Sequence, residues 1–198
     1  MNLNDLIKKD NIPVPDDFAY KIQRYKEHLF KWNKTHNLTG AKDEKTIDEF
    51  IVDSLFVTTF LPIVDNILDI GSGAGFPGIM LALALPNTKI TLAEPLKKRA
   101  AFLQFIKADL KLTNIDVKNC RVQEIKNQKF DIITSRAVSD TAILINMSLP
   151  LSHQNTKLLF FKGENVYNEV NKKYDYEIIK TKKRHYLLIN SIKGDKNV

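Results

Sequence analysis

The chain has 198 residues, 43% of them hydrophobic and 27% charged, with a formal net charge of +7. That length and balance describe one ordinary globular domain with a full core and exclude a disordered or low-complexity chain. The single cysteine, Cys120, excludes a disulfide framework and a cysteine-based metal site.

The opening M-N-L-N-D-L-I-K-K-D has neither the apolar stretch of a signal peptide nor transmembrane length, so a cytoplasmic protein without a membrane partner is expected. Phe18, Ile22, Tyr25, Leu29 and Trp32 recur at helical steps and predict an amphipathic helix over 15–33. A polar turn follows over 32–40. A second helix is expected over 44–60, with Ile47, Phe50, Ile51, Ser54 and Leu55 on one face. Asp53 and Ser54 lie on or beside that apolar stripe and call for hydrogen-bond partners. Residues 1–62 therefore read as an N-terminal helical extension, packed as one structural unit on a core formed by 63–198.

Beyond residue 63, strands and helices alternate, as in an open parallel sheet. Strands are expected at 67–70, 89–93, 115–118, 130–134, 157–162, 176–180 and 185–192, and helices at 77–85, 96–112, 140–149 and 164–172. The fold class is α/β: a Rossmann-like, seven-stranded, mostly parallel sheet with helices on both faces.

The stretch N-I-L-D-I-G-S-G-A-G-F-P-G-I-M (66–80) organises the rest. An apolar strand ends at Gly71, glycines follow at 73 and 75, and Pro77 stands where a helix begins. Such a loop brings backbone N–H groups and a helix N-terminus to one ligand. Gly73, Gly75 and Gly78 also satisfy the dinucleotide pattern G-x-G-x-x-G, so NAD is an alternative. Asp69 points elsewhere: a carboxylate at the strand end repels a pyrophosphate but suits the ammonium and sulfonium of S-adenosylmethionine. Glu94, ending the second strand, can accept from both ribose hydroxyls or simply begin a helix before Pro95. Arg136, after the fourth strand, can hold a donor carboxylate or an RNA phosphate, or form a surface ion pair. The segment K-T-K-K-R (180–184) offers Lys182, Lys183 and Arg184 to nucleic acid. Metal ligands at characteristic spacing are missing, and no metal is expected.

The chain resembles the bacterial small-subunit ribosomal RNA guanine-N7 methyltransferases, the glucose-inhibited division protein B family. The matching pieces are W-N-K-T-H-N-L-T (32–39), V-D-S-L (52–55), D-I-G-S-G-A-G-F-P-G (69–78), K-R (98–99), R-V-Q-E (121–124), S-R-A (135–137), K-G (162–163) and R-H (184–185). They follow the family's order from about residue 20 to 190. The resemblance implies methyl transfer from S-adenosylmethionine to a guanine N7 in 16S ribosomal RNA, either free or within the small subunit or an assembly intermediate, by a monomer. It also implies that Gly71 and Phe76 contact the donor, that Val122 and Gln123 flank its adenine, and that Arg136 lies beside it. Asn37, Lys162, Lys182, Lys183 and Arg184 are the RNA-side candidates. The sequence departs from the family at Phe50, where a histidine is frequent. A small-molecule methyltransferase with the same donor site remains an alternative.

Overall fold

The computed structural model describes residues 3–136, 139–181 and 184–191. Three helices, α1 (Leu3–Lys9), α2 (Phe18–His36) and α3 (Glu44–Phe56), precede β1 (Asn66–Ile70), α4 (Gly78–Ala84), β2 (Lys89–Ala93), α5 (Lys97–Asp109) and β3 (Ile115–Lys118). Then come β4 (Phe130–Arg136), α6 (Thr141–Ser148), β5 (Ser152–Lys162), α7 (Val166–Glu169), β6 (Asp175–Lys180) and β7 (His185–Ser191).

The strands form one sheet in the order β3-β2-β1-β4-β5-β7-β6. The first five run parallel, and β7 lies antiparallel to both β5 and β6. Helices cover both faces, so β1 and β2 are buried on both sides and read as apolar runs rather than alternating patterns. Alternate residues serve opposite cores. Ile67, Tyr186 and Leu188 join the larger cluster with α1 to α5, while Leu68, Ile70, Leu187 and Ile189 join the cluster beneath α6. The winding reverses between β1 and β4, which pair side by side. In open α/β sheets ligands settle at the carboxyl edge beside such a reversal.

The N-terminal helices pack on the sheet side of α4 and α5, where Ile22, Tyr25, Leu29, Ile51 and Leu55 share a core with Ile79 and Phe102. Trp32 stacks obliquely on Phe102 and Phe105, at 5.5 and 5.6 Å between ring centroids. Arg24 forks onto Asp109, and buried Lys26 bonds Asp48 at 2.8 Å, tying α2 to α5 and to α3.

Several boundaries differ from expectation. Helix α2 continues to His36, because Asn37 takes the left-handed conformation and closes it, its N–H donating to the Asn33 carbonyl. The second expected helix stops at Phe56 and tightens into a 3₁₀ turn, Val57–Thr59. Pro77 caps α4 rather than starting it. Strand β4 runs on to Arg136, and β5 begins at Ser152, where only Ser152 pairs before a register irregularity. Helix α1 was not expected. Seven residues are too few to hold a helix alone, and burial of Leu3 and Ile7 against the larger core supplies the stability.

Candidate functional site

The glycine loop leaves β1 with three positive φ angles: +70° at Gly71, +57° at Gly73 and +102° at Gly75. Gly71 N–H donates to the Ala93 carbonyl at 2.8 Å, binding the loop to the end of β2. At Gly75 a Cβ would lie 2.5 Å from Ile79 Cγ1, so only glycine fits. At Gly78 a Cβ would strike Leu92 and the Asp69 carboxylate, which keeps α4 close against the strands.

Asp69 does not stand open at the crevice. Its side chain is buried beneath the loop, and Oδ2 accepts from Gly78 N–H at 3.1 Å. Oδ1 is buried with no partner among the described residues. Burial pushes this carboxyl up to about 7, with the nearby Ser72 hydroxyl and the Gly78 N–H opposing it and Glu94 adding a smaller push. Glu94 is likewise buried, with Oε2 on Gly73 N–H and Oε1 on Leu96 N–H, both at 2.8 Å. It bridges the glycine loop to the start of α5. Asn119 holds the same turn by donating to the Glu94 and Pro95 carbonyls.

Val122 and Gln123 occupy a 3₁₀ turn after β3, with Val122 buried and Gln123 exposed. Since β1, β2 and β3 are parallel neighbours, this turn, Glu94 and the glycine loop share one edge of the sheet. Phe76 packs edge-on against Tyr25 at 5.8 Å and Phe50 at 5.6 Å. Tyr25 is a contributor that periodicity marked only as core. Its hydroxyl donates to the Ala74 carbonyl at 2.6 Å, so α2 holds the loop from above.

Arg136 leaves the end of β4 with its side chain 8% exposed. Its guanidinium lies over the Phe50 ring, 4.1 Å from the centroid, and donates to the Phe50 carbonyl and Ser54 Oγ at 3.2 and 3.4 Å. Asp53 Oδ2 lies 3.6 Å from it and also takes a fork from Arg184 at 3.0 and 3.1 Å. Burial and the neighbouring Arg184 lower Arg136 to about 10, so it stays cationic at neutral pH. These bonds give Asp53 and Ser54 the partners their sequence positions called for.

Three comparisons with known proteins bear on this site. The family model for rRNA small subunit methyltransferase G matches residues 19–197. The chain belongs to that family. It is 42% identical to Ribosomal RNA small subunit methyltransferase G of Wolinella succinogenes, over 94% of this chain and 96% of the relative. It is 39% identical to the protein of the same name from Aliarcobacter butzleri, over 96% and 99%. Among solved structures, a SAM-dependent methyltransferase from Aquifex aeolicus superposes with a TM-score of 0.57 at 15% identity, covering 74% of this chain and 93% of that one. That likeness speaks for the fold.

Phe50 offers Arg136 a π face. The RNA-side candidates are dispersed. Exposed Asn37 ends α2, and Lys162 is held by Glu169 at 2.8 Å and the Ser139 carbonyl at 3.2 Å. Arg184 is held by Asp53. Lys182 and Lys183 lie outside the described residues. No helix among the described residues is long and apolar enough to cross a membrane, and none of them form a group of three potential metal ligands.

Proposed function

We propose that the protein transfers a methyl group from S-adenosylmethionine to N7 of a guanine in 16S ribosomal RNA. The observation that carries this is the pair of buried carboxylates, Asp69 and Glu94, set against the glycine loop of a chain from this family. A dinucleotide would bring its pyrophosphate to the same loop, against both carboxylates. A cationic donor without phosphate fits them, and the unpartnered Asp69 Oδ1 leaves one buried acceptor to spare.

Gly71, Gly73 and Phe76 would line the donor, Glu94 would serve its ribose, and Val122 with Gln123 would flank its adenine. Asp69 would act mainly from beneath, by holding Gly78 N–H. Arg136 is assigned to the donor side as a positioning residue. Residues 1–62 would form an N-terminal helical extension packed on the 63–198 core as one structural unit. Bound S-adenosylmethionine supplies an electrophilic methyl group on a sulfonium. Guanine N7 has an in-plane lone pair and needs no deprotonation, so this transfer asks for no general base. The lone pair forms the new N–C bond as the S–C bond breaks, and positive charge passes to the purine. The residues contribute chiefly alignment.

The RNA-side set remains Asn37, Lys162, Lys182, Lys183 and Arg184, acting on 16S ribosomal RNA, the small subunit or an assembly intermediate. The protein would work as a cytoplasmic monomer without a metal. Incubation with methyl-labelled donor and small subunits lacking the modification should place label in one 7-methylguanine, located by nuclease mapping. Label on another base or atom, or none in RNA, would refute the assignment.

A further inference from the structure

His185, the first residue of β7, pairs with Lys162 at the end of β5 and with Lys180 at the end of β6. The three form a row along the carboxyl edge of the sheet, the edge that also carries the glycine loop. Their neighbours Phe161 and Tyr186 belong to the larger core, so by strand alternation Lys162 and His185 turn to the opposite face. That is the face of the smaller core, to which Val122 of the candidate adenine turn and Val166 of α7 both belong. The Arg136–Asp53 pair and a cavity of about 690 Å³ beside α1 and α3 lie on the other side of the sheet.

Tyr167 stands on this row. It follows Val166, whose burial anchors α7, and is itself 56% exposed. Its ring meets His185 edge to face, at 5.6 Å between centroids and 81° between planes. His185 is buried, and its Nε2 has no partner among the described residues. The turn that carries Tyr167 is held firmly. Lys162 donates to Glu169 Oε2 at 2.8 Å and to the Ser139 carbonyl at 3.2 Å, and Thr141 donates to the same Glu169 oxygen at 2.8 Å. Beside the turn the space is open, since a Cβ at Gly163 would meet nothing within 4 Å.

A fixed, solvent-facing aromatic ring among cations is what an unpaired nucleotide requires: the base stacks on the ring and its phosphate meets an ammonium. Exposed Lys180 can supply that ammonium, whereas Lys162 is engaged by Glu169. We infer that Tyr167 is a stacking platform for an unpaired base of the RNA substrate, a neighbour of the acceptor guanine in the same strand. In the sheet order β7 lies three strands from β1, which at the usual strand spacing is roughly 14 Å. Methyl transfer needs its reacting atoms about 3–3.5 Å apart, so the base on Tyr167 is not the one methylated. The inference rests on the RNA methyl transfer proposed above and adds a surface that holds the substrate strand.

The test uses the full chain and small subunits lacking the methyl group. Tyr167→Ala should lower kcat/KM about tenfold, the loss of one stacked base, mainly through KM. The S-adenosylhomocysteine Kd and the melting midpoint should not change. Tyr167→Phe and Tyr167→Trp keep a ring and should keep the wild-type KM, while Tyr167→Leu, apolar without a π face, should behave as the alanine variant does. The salt slope of subunit binding should be the same in Tyr167→Ala as in the wild type, because no phosphate contact is removed. A benzophenone photocrosslinker placed at position 167 should attach to 16S RNA. Wild-type KM in Tyr167→Ala, full activity in Tyr167→Leu or a flattened salt slope would each overturn the stacking role. Attachment to ribosomal protein alone would overturn the choice of RNA as the partner. Failure of the wild type to form 7-methylguanine would instead sink the underlying function.

Discussion

Asp69 carries the sharpest test of how the glycine loop is built. Its carboxyl is buried and raised from 3.8 to about 7, chiefly by desolvation. The folded state thus holds a proton that the unfolded chain releases near 3.8. Stability contributed by this group is full below that point and is lost as pH rises through the folded value. At about 1.36 kcal/mol per pH unit, the loss between pH 4 and 7 amounts to about 4 kcal/mol. Asp69→Asn keeps an acceptor for Gly78 N–H and cannot ionise. Urea denaturation of both proteins from pH 4.5 to 8.5 should show the variant's relative stability rising with pH and levelling above pH 7. Relaxation around the buried charge would reduce the amplitude without changing its sign. A stability difference independent of pH would refute the buried-charge account.

Gly75→Ala should destabilise the protein by roughly 1–3 kcal/mol, since L-residues are strained at that φ, and thermal melting with a parallel loss of S-adenosylhomocysteine affinity would check it. Glu94→Gln places an amide against Gly73 or Leu96 N–H and should weaken S-adenosylhomocysteine by about tenfold, the loss of roughly one charge-assisted bond; calorimetry showing wild-type affinity would remove Glu94 from the donor site. Arg136→Ala strips a buried cation from Asp53, and loss of roughly 3 kcal/mol is expected by denaturation. Arg136→Lys keeps the charge but not the flat fork on Phe50, so it should recover only part; full recovery would mean that charge alone matters. Binding to small subunits should weaken steeply with salt, and replacing Lys182 and Lys183 by Ala should flatten that slope while sparing donor affinity. Adding Arg184→Ala should also lower stability, because it removes a fork from Asp53.

Much of the core was legible because its signals are local. The apolar run before Gly71 gave β1, and its glycines gave the loop, since glycine takes positive φ without strain. K-I-T-L-A gave β2 at its observed bounds, and Ile115–Lys118 gave β3. The ends of α2 and α3 were less legible. Asn37 in a left-handed turn and the switch to a 3₁₀ turn at Val57 depend on single backbone choices that hydrophobic period does not register.

What the sequence could not show is which groups meet across long separations. Tyr25 looked like one more apolar helix position, yet its hydroxyl reaches the carbonyl of Ala74, 49 residues on. Asp69 sat at the position where a ligand-facing carboxylate is expected, and only the close approach of α4, permitted by Gly78, turns it inward. Arg184 looked like part of a free cationic rim, but Asp53, 131 residues earlier, accepts its fork. The same carboxylate lies beside Arg136, whose guanidinium rests on Phe50 of the same helix. Helix α3 therefore does more than cover apolar surface. Through Phe50, Asp53 and Ser54 it fixes the cation at the end of β4, and through Glu49 and Val52 its next face opens on the neighbouring cavity. A displacement of α3 would shift the Arg136 anchor and the cavity wall together.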